Sequence, residues 1–168
     1  MSTQEHKKEA PHAVGCMVIT VSDTRTEETD KSGRLMKELL AAAGQPVHLY
    51  RIVKDEPGEI TAAIEEGVLH ADVDVILLNG GTGIAKRDTT YEAVQKLLEK
   101  EMPGFGELFR MLSYTEDIGS AAMLSRAIAG TYRGKAVFST PGSTGAVRLA
   151  MTKLIIPELG HIVRELHK

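Results

Sequence analysis

The sequence predicts an α/β protein, with a parallel or mostly parallel central sheet and helices on both of its faces. Three observations lead there. Short apolar runs rich in β-branched residues alternate along the chain with stretches of helical periodicity. The first run, Cys16-Met17-Val18-Ile19-Thr20-Val21, is apolar at nearly every position, as a strand covered on both faces must be. The polar and glycine-rich segments follow the strand-like runs, at the sheet edge where open α/β folds bind their ligands.

The chain has 168 residues, a length that suits one domain able to bury about 70% of its unfolded surface. Residues 1–13 are polar and aperiodic and are expected to form a flexible tail, which leaves 14–168 as a single domain. After the first strand, Ser32 is expected to cap a helix carrying Leu35, Met36, Leu39 and Leu40 and closed by Gly44. Val47 to Val53 reads as the second strand. Pro57 opens a second helix with Ile60, Ala63, Ile64 and Leu69 on its buried face. Val73 to Leu78 is the third strand, and Thr89-x-x-Glu92 resembles a capping box for the helix after it. Pro103-Gly104 precedes two helical stretches, about 105–113 and 120–129, with Met111 and Leu112 assigned to the core. Lys135 to Ser139 is the fourth strand. A helical tail restarting at Pro157 supplies Leu154, Ile155, Leu159, Ile162, Val163 and Leu166.

Composition removes several functions. A formal net charge of −3 argues against a phosphate-tracking nucleic-acid binder, and four Tyr, three Phe and no Trp leave few platforms for stacking bases. No apolar run approaches the roughly 20 residues of a membrane span, and the first residues lack a secretory core, so a cytoplasmic protein is expected. Gly130 to Ala136 is one residue short of a phosphate-binding Walker loop and ends in Ala where Ser or Thr is required. No G-x-G-x-x-G opens a helix after the first strand. The six histidines show no metal-binding spacing, and Cys16, inside a buried strand, reads as a small core residue rather than a nucleophile.

What remains is a set of polar loops at one sheet edge: Ser22-Asp23-Thr24, Asp55-Glu56, Asn79-Gly80-Gly81-Thr82-Gly83, and Thr140-Pro141-Gly142-Ser143. Exposed backbone N–H groups there favour an anion, so a phosphorylated ligand is expected. Ser22-Asp23-Thr24 also reads as a side-chain-supported turn, and Pro141-Gly142 as an ordinary turn dipeptide. Asp55 and Asp88 read either as acids flanking helix starts or as a carboxylate pair holding Mg²⁺ against a polyphosphate. Arg87 suits a phosphate contact or a solvated charge at a helix start equally well.

The ordered series Thr20-Val21-Ser22-Asp23, Asp55-Glu56, Asn79 to Gly83, Arg87-Asp88-Thr89-Thr90, Pro103-Gly104-Phe105, Ser125-Arg126-Ala127 and Thr140 to Ser143 resembles the MoaB/MogA family of molybdenum cofactor biosynthesis. The G domains of gephyrin and of the plant molybdenum insertase belong to the same group. The run from Phe105 to Ser113 and the Pro-Gly-Ser ending look more like the MoaB branch. The resemblance spans nearly the whole chain from Val14. It implies a three-layer α/β/α molybdopterin-binding fold, its central sheet mostly parallel with one antiparallel strand. At least one strand beyond the four above is then expected, within 113–120 or at the sheet edge.

The resemblance also implies a reaction, the Mg²⁺- and ATP-dependent adenylylation of molybdopterin with release of pyrophosphate. The product would pass to a MoeA-type partner for molybdate insertion. The family's two important acids fall on Asp55 and Asp88, which are expected to hold the metal and the reacting phosphates. Ser22, Asp23, Asn79, Gly80, Gly81, Thr82, Gly83, Arg87, Thr89, Pro141, Gly142 and Ser143 are the candidate substrate-binding residues. A catalytically silent molybdopterin carrier is the alternative, and another α/β enzyme acting on nucleotides or sugar phosphates is a third. Silent members tend to lose the basic-acidic-Thr pattern that Arg87-Asp88-Thr89 retains here. A homotrimer or homohexamer is expected from the family.

Overall fold

Strands β1 (Cys16–Val21), β2 (Val47–Val53), β3 (Val75–Asn79), β4 (Lys100–Glu101), β5 (Ile128–Tyr132) and β6 (Lys135–Thr140) form one sheet in the order β2-β1-β3-β6-β5-β4. The structure is a computed structural model and describes residues 2–5 and 13–168. β2, β1, β3 and β6 run parallel, and β5 is antiparallel to both of its neighbours. Most of the residues read as an N-terminal tail lie outside the described ones.

Helices α1 (Lys31–Ala42), α4 (Pro103–Glu116), α5 (Thr144–Ala150) and α6 (Ile156–Leu166) cover one face, and α2 (Pro57–Leu69) and α3 (Thr90–Leu97) cover the other. The two faces divide the strand residues by parity. Cys16, Val18, Val75, Leu77 and Phe138 pack with Met36, Leu40, Phe109, Val147, Met151, Ile155 and Leu159. Met17, Ile19, Ile76, Leu78 and Val137 pack with Ile60, Ile64 and Val94. Burial on both faces explains why the strands read as continuous apolar runs rather than alternating ones. Burial also pushes the Cys16 thiol up to about 12, aided by the negative charge of Asp74, so this cysteine is inert.

Several expectations need correction. Asp30, not Ser32, caps α1: its Oδ1 accepts from Gly33 N at 3.0 Å, and Ser32 sits buried in the first turn. Thr89 makes no capping bond, because its hydroxyl goes to Asp55 and the Glu92 carboxylate to Arg126. Leu69 and Met111 are 77% and 64% exposed rather than buried. The stretch 120–129 is not one helix. It holds a short 3₁₀ helix at Gly119–Leu124, and the chain then extends into β5. A two-residue turn, Arg133 (φ 47°) and Gly134 (φ 80°), pairs β5 with β6, so non-local pairing outweighs the helix propensity of the alanines before it. The segment weighed as a Walker loop is this hairpin. The additional strands are β5 and, at the sheet edge, β4; residues 113–120 contain none. Pro157 lies in the first turn of α6, after a π-helical stretch at Met151–Ile155. No helix among the described residues is long and apolar enough to cross a membrane.

Candidate functional site

The central strands change character at their C-terminal ends. Thr20, Asn79 and Thr140 sit side by side across β1, β3 and β6, all fully buried, and mark where the apolar sheet gives way to polar loops. The connection after β1 runs over one face through α1, and that after β2 over the other through α2. The chain therefore diverges between β1 and β3, which opens a crevice at that edge.

A cavity of about 480 Å³ occupies this crevice, with three sides built from loops. Ser22, Thr24 and Arg25 come from the β1 loop, Gly80 to Gly83 from the β3 loop, and Pro141, Gly142 and Ser143 from the β6 loop. The fourth side is more apolar, with Phe109, Ile118, Ala121 and Leu124 alongside Ser113, Asp117 and Ser125. Asp88 reaches this cavity and also lines a second one of about 350 Å³, shared with Pro57, Ile84, Lys86, Thr89 and Glu92.

The glycine loop is shaped by contacts that exclude side chains. Gly80 has φ +100°, and a Cβ there would overlap the Val21 carbonyl, while Gly81 has φ +71° and a Cβ there would overlap Thr90 Oγ1 and Asp55 Oδ2. The N–H groups of Gly81, Thr82 and Gly83 find no acceptor among the described residues. Consecutive unpartnered amides of this kind suit an anion.

The acids are held individually. Asp55 is 6% exposed, and its Oδ1 accepts from both Thr89 N (3.0 Å) and Thr89 Oγ1 (2.6 Å). Its Oδ2 faces Gly81 and Thr90, whose buried hydroxyl has no hydrogen-bond partner among the described residues. Asp88 Oδ2 accepts from Ala85 N at 3.1 Å, and a Cβ on Gly83 would lie 2.7 Å from it. Thus both acids flank the glycine loop, Asp55 beside Gly81 and Asp88 beside Gly83.

Some candidate residues serve each other instead of the cavity. Arg87 Nε and Nη2 bond Asp23 at 3.1 and 2.8 Å, and its Nη1 bonds Glu56 at 2.6 Å. The Arg87 hydrogen bonds, with a further one from Asp55 N, hold the Asp23 carboxyl below its usual range. Neither residue lines the large cavity. Asn79 is fully buried and spans Thr20 Oγ1 (3.0 Å) and Arg25 Nη1 (3.4 Å) without reaching the cavity. Ser22 supports its own turn, accepting from Thr24 N and Arg25 N, and Ser143 caps α5 by accepting from Ala146 N at 3.1 Å. Both still line the cavity.

Sequence reading passed over Arg25, Asp30, Ser113, Asp117, Ser125 and Arg126 as site residues. Asp30 is fully buried and accepts from Thr20 Oγ1 and Tyr50 OH, both at 2.6 Å, with Arg25 Nη1 3.6 Å from its other oxygen. Burial and the Asp30 carboxylate push the Tyr50 phenol well above its ordinary range. Arg126 fastens the glycine loop: its guanidinium donates to Gly83 O and Asp88 O and pairs with Glu92. The local signal for Asp30 was an acid just ahead of a helical run; Arg126 and Asp117 reach the site only through the tertiary fold.

The architecture defines a three-layer α/β protein with an open crevice at the C-terminal edge of its mostly parallel sheet. Residues 17–161 match the family model of a probable molybdopterin binding domain. The chain is 64% identical over 168 residues to a molybdenum cofactor biosynthesis protein B of Halalkalibacterium halodurans, covering 100% of this chain and 99% of that one. It is 63% identical to the protein of the same name from Bacillus subtilis, with the same coverage. A crystal structure of a molybdenum cofactor biosynthesis protein B superposes with a TM-score of 0.92 at 65% identity, over 95% of this chain and 99% of that one. A tungsten cofactor synthesizing protein MoaB from Pyrococcus furiosus superposes with a TM-score of 0.85 at 40% identity, over 95% and 100%. The chain belongs to the MoaB/MogA family and has a role in molybdenum cofactor biosynthesis.

Proposed function

We propose that this protein adenylylates molybdopterin in the cytoplasm, using ATP and Mg²⁺. The observation that carries the reading is the position of Asp88, which lines two adjoining cavities at once. A transfer between two bound substrates needs a group that faces both. In the reaction a phosphate oxygen of the pterin bonds to the α-phosphorus of ATP, the bond from that phosphorus to the bridging oxygen breaks, and pyrophosphate leaves. Both reactants are anionic, so positioning and charge neutralisation are the chief requirements.

The chain's own residues meet those requirements in part. The free amides of Gly81 to Gly83 supply donors for phosphate oxygens without side-chain obstruction. Arg126 holds the loop through Gly83 O and Asp88 O, which keeps Asp88 in place. Asp55 Oδ2 and the orphaned Thr90 hydroxyl crowd the same spot above Gly81, an oxygen pair whose chemistry fits a hard cation. Asp55 and Asp88 would hold Mg²⁺, with Thr90 in support. No group of three or more His, Cys, Asp and Glu able to hold a metal occurs among the described residues, so phosphate oxygens and water would complete the coordination. When bound, Mg²⁺ would offset the charge of the triphosphate.

The test is incubation of the purified protein with molybdopterin, ATP and Mg²⁺, each omitted in turn, with chromatographic detection of adenylylated pterin and pyrophosphate. Equal amounts of both, lost without Mg²⁺ and in Asp88→Ala, support the transferase. Bound but unaltered pterin would overturn it in favour of a carrier. The carrier has its own support, because Asp55 Oδ1 and Asp88 Oδ2 are already engaged in bracing loops. As a transferase the protein would hand its product to a MoeA-type protein.

We also propose self-association as a homotrimer or homohexamer. Leu108, Met111, Tyr114, Ile118, Met123 and Leu124 are all at least half exposed on α4 and the segment after it, a density of apolar surface that suits a partner subunit.

A further inference from the structure

We propose that Arg25 binds the phosphate of the ligand in the large cavity, the role that sequence spacing offered to Arg87. The inference rests on the reading that this ligand is phosphorylated.

Three arginines surround the glycine loop, and their donors are committed very differently. Arg87 spends Nε, Nη1 and Nη2 on Asp23 and Glu56. Arg126 spends Nε and Nη2 on Gly83 O and Asp88 O, and pairs through Nη1 with Glu92. Of the five N–H donors each guanidinium carries, Arg25 has the fewest committed of the three. Its Nη2 bonds Gly142 O at 2.9 Å and its Nη1 makes a long bond of 3.4 Å to Asn79 Oδ1, while Nε has no acceptor among the described residues.

Arg25 is also the one cation among the described residues lining this cavity, which include the carboxylates of Asp88 and Asp117. A phosphate entering beside two acids needs a fixed positive group to offset them. Lys86 lines the neighbouring cavity instead.

The guanidinium is held ready from behind. Asp30 is fully buried and lies 3.6 Å from Nη1, and it is itself fixed by Thr20, Tyr50 and Gly33. Asn79, locked to Thr20, and the Gly142 carbonyl, which Ser32 Oγ also bonds at 2.5 Å, complete the cradle. An arginine pre-organised this way loses little rotamer freedom when it binds an oxyanion and presents a fork rather than a point charge.

The experiment measures equilibrium binding to wild type, R25M, R25K, R87M and R51M, the last a remote loss of one positive charge. Two ligand pairs distinguish the phosphate's source: molybdopterin against its dephosphorylated form, and AMP against adenosine. The expected result is that R25M lowers the preference for one phosphorylated partner roughly ten- to a hundredfold, that R25K lowers it less, and that R87M and R51M keep it. Loss in the pterin pair assigns Arg25 to the pterin phosphate, and loss in the AMP pair assigns it to the nucleotide. Preserved preference in R25M for both pairs, or loss in R87M alone, overturns the inference while leaving the proposed function standing. A wild type that binds neither pterin form overturns the proposed function, and the inference falls with it only where AMP is bound no better than adenosine. Thermal melting of each variant guards against misfolding, and Arg25, whose side chain is 31% exposed, tolerates replacement better than a core residue.

Discussion

Thr89 gives both of its hydrogens to one oxygen of Asp55, the backbone N–H at 3.0 Å and the hydroxyl at 2.6 Å. The loop after β2 is thereby tied to the start of α3, and the second Asp55 oxygen is left facing Gly81. Asp55 thus has a bracing role distinct from any role toward ligand.

The two acids should separate on that basis. Asp55→Ala strands two donors of Thr89 and is expected to cost about 1–3 kcal/mol of stability together with activity. Asp88→Asn keeps an acceptor for Ala85 N and should lose activity with a melting temperature near that of wild type. Chemical denaturation beside the pyrophosphate assay checks this. Equal destabilisation by both variants would contradict it.

Thr90 carries a buried hydroxyl that no group among the described residues satisfies. Thr90→Val removes an unpaired polar atom while keeping the shape, so the variant should be as stable as wild type or more so. If the hydroxyl supports the cation beside Asp55, the same variant should need more Mg²⁺ to reach half-maximal turnover. A destabilised variant, or an unchanged Mg²⁺ requirement, would remove that role.

The Asp23–Arg87 pair predicts a pH dependence. Asp23 titrates below its ordinary value of 3.8 in the folded protein, chiefly because Arg87 bonds its charged form. The pair's stabilising effect is therefore complete above that ordinary value and fades as the pH falls through the lowered one. Asp23→Asn imitates the protonated acid, so urea midpoints of wild type and variant should differ by a constant amount from pH 7 to 5 and draw progressively together as the pH falls below 3.8. A gap that does not narrow at all with falling pH would argue against the pairing.

The exposed apolar face makes the last prediction. Met111 and Tyr114 are 64% and 60% exposed on α4, whose opposite side buries Phe105 and Phe109. Met111→Glu should leave the monomer folded and shift sedimentation from an oligomer to a monomer. A wild type that sediments as a monomer at micromolar concentration would refute the assembly itself.

Much of the fold was legible because local pattern and tertiary role agree. Strands buried on both faces announce themselves as apolar β-branched runs, and α2 is marked by Pro57 and the spacing of Ile60 and Ile64. Legibility ended where one residue type serves several ends. Asp30 and Ser32 are both good caps, and only the burial of Asp30 against Thr20 and Tyr50 chooses between them. β5 was hidden because its pairing with β6 depends on a neighbour in space as much as on its own residues.

The ordered glycine and acid motifs placed the chain in its family and the site at the C-terminal edge of the sheet, since those features reside in residue identity and spacing. Which arginine faces the cavity, which carboxylate braces a loop and which acid borders two cavities depend on distances between loops 30 to 120 residues apart in the chain, such as Arg25 to Gly142 and Asp55 to Thr89. A side chain's partners are set by what the sheet brings beside it, and that is decided only when β1, β3 and β6 align their ends.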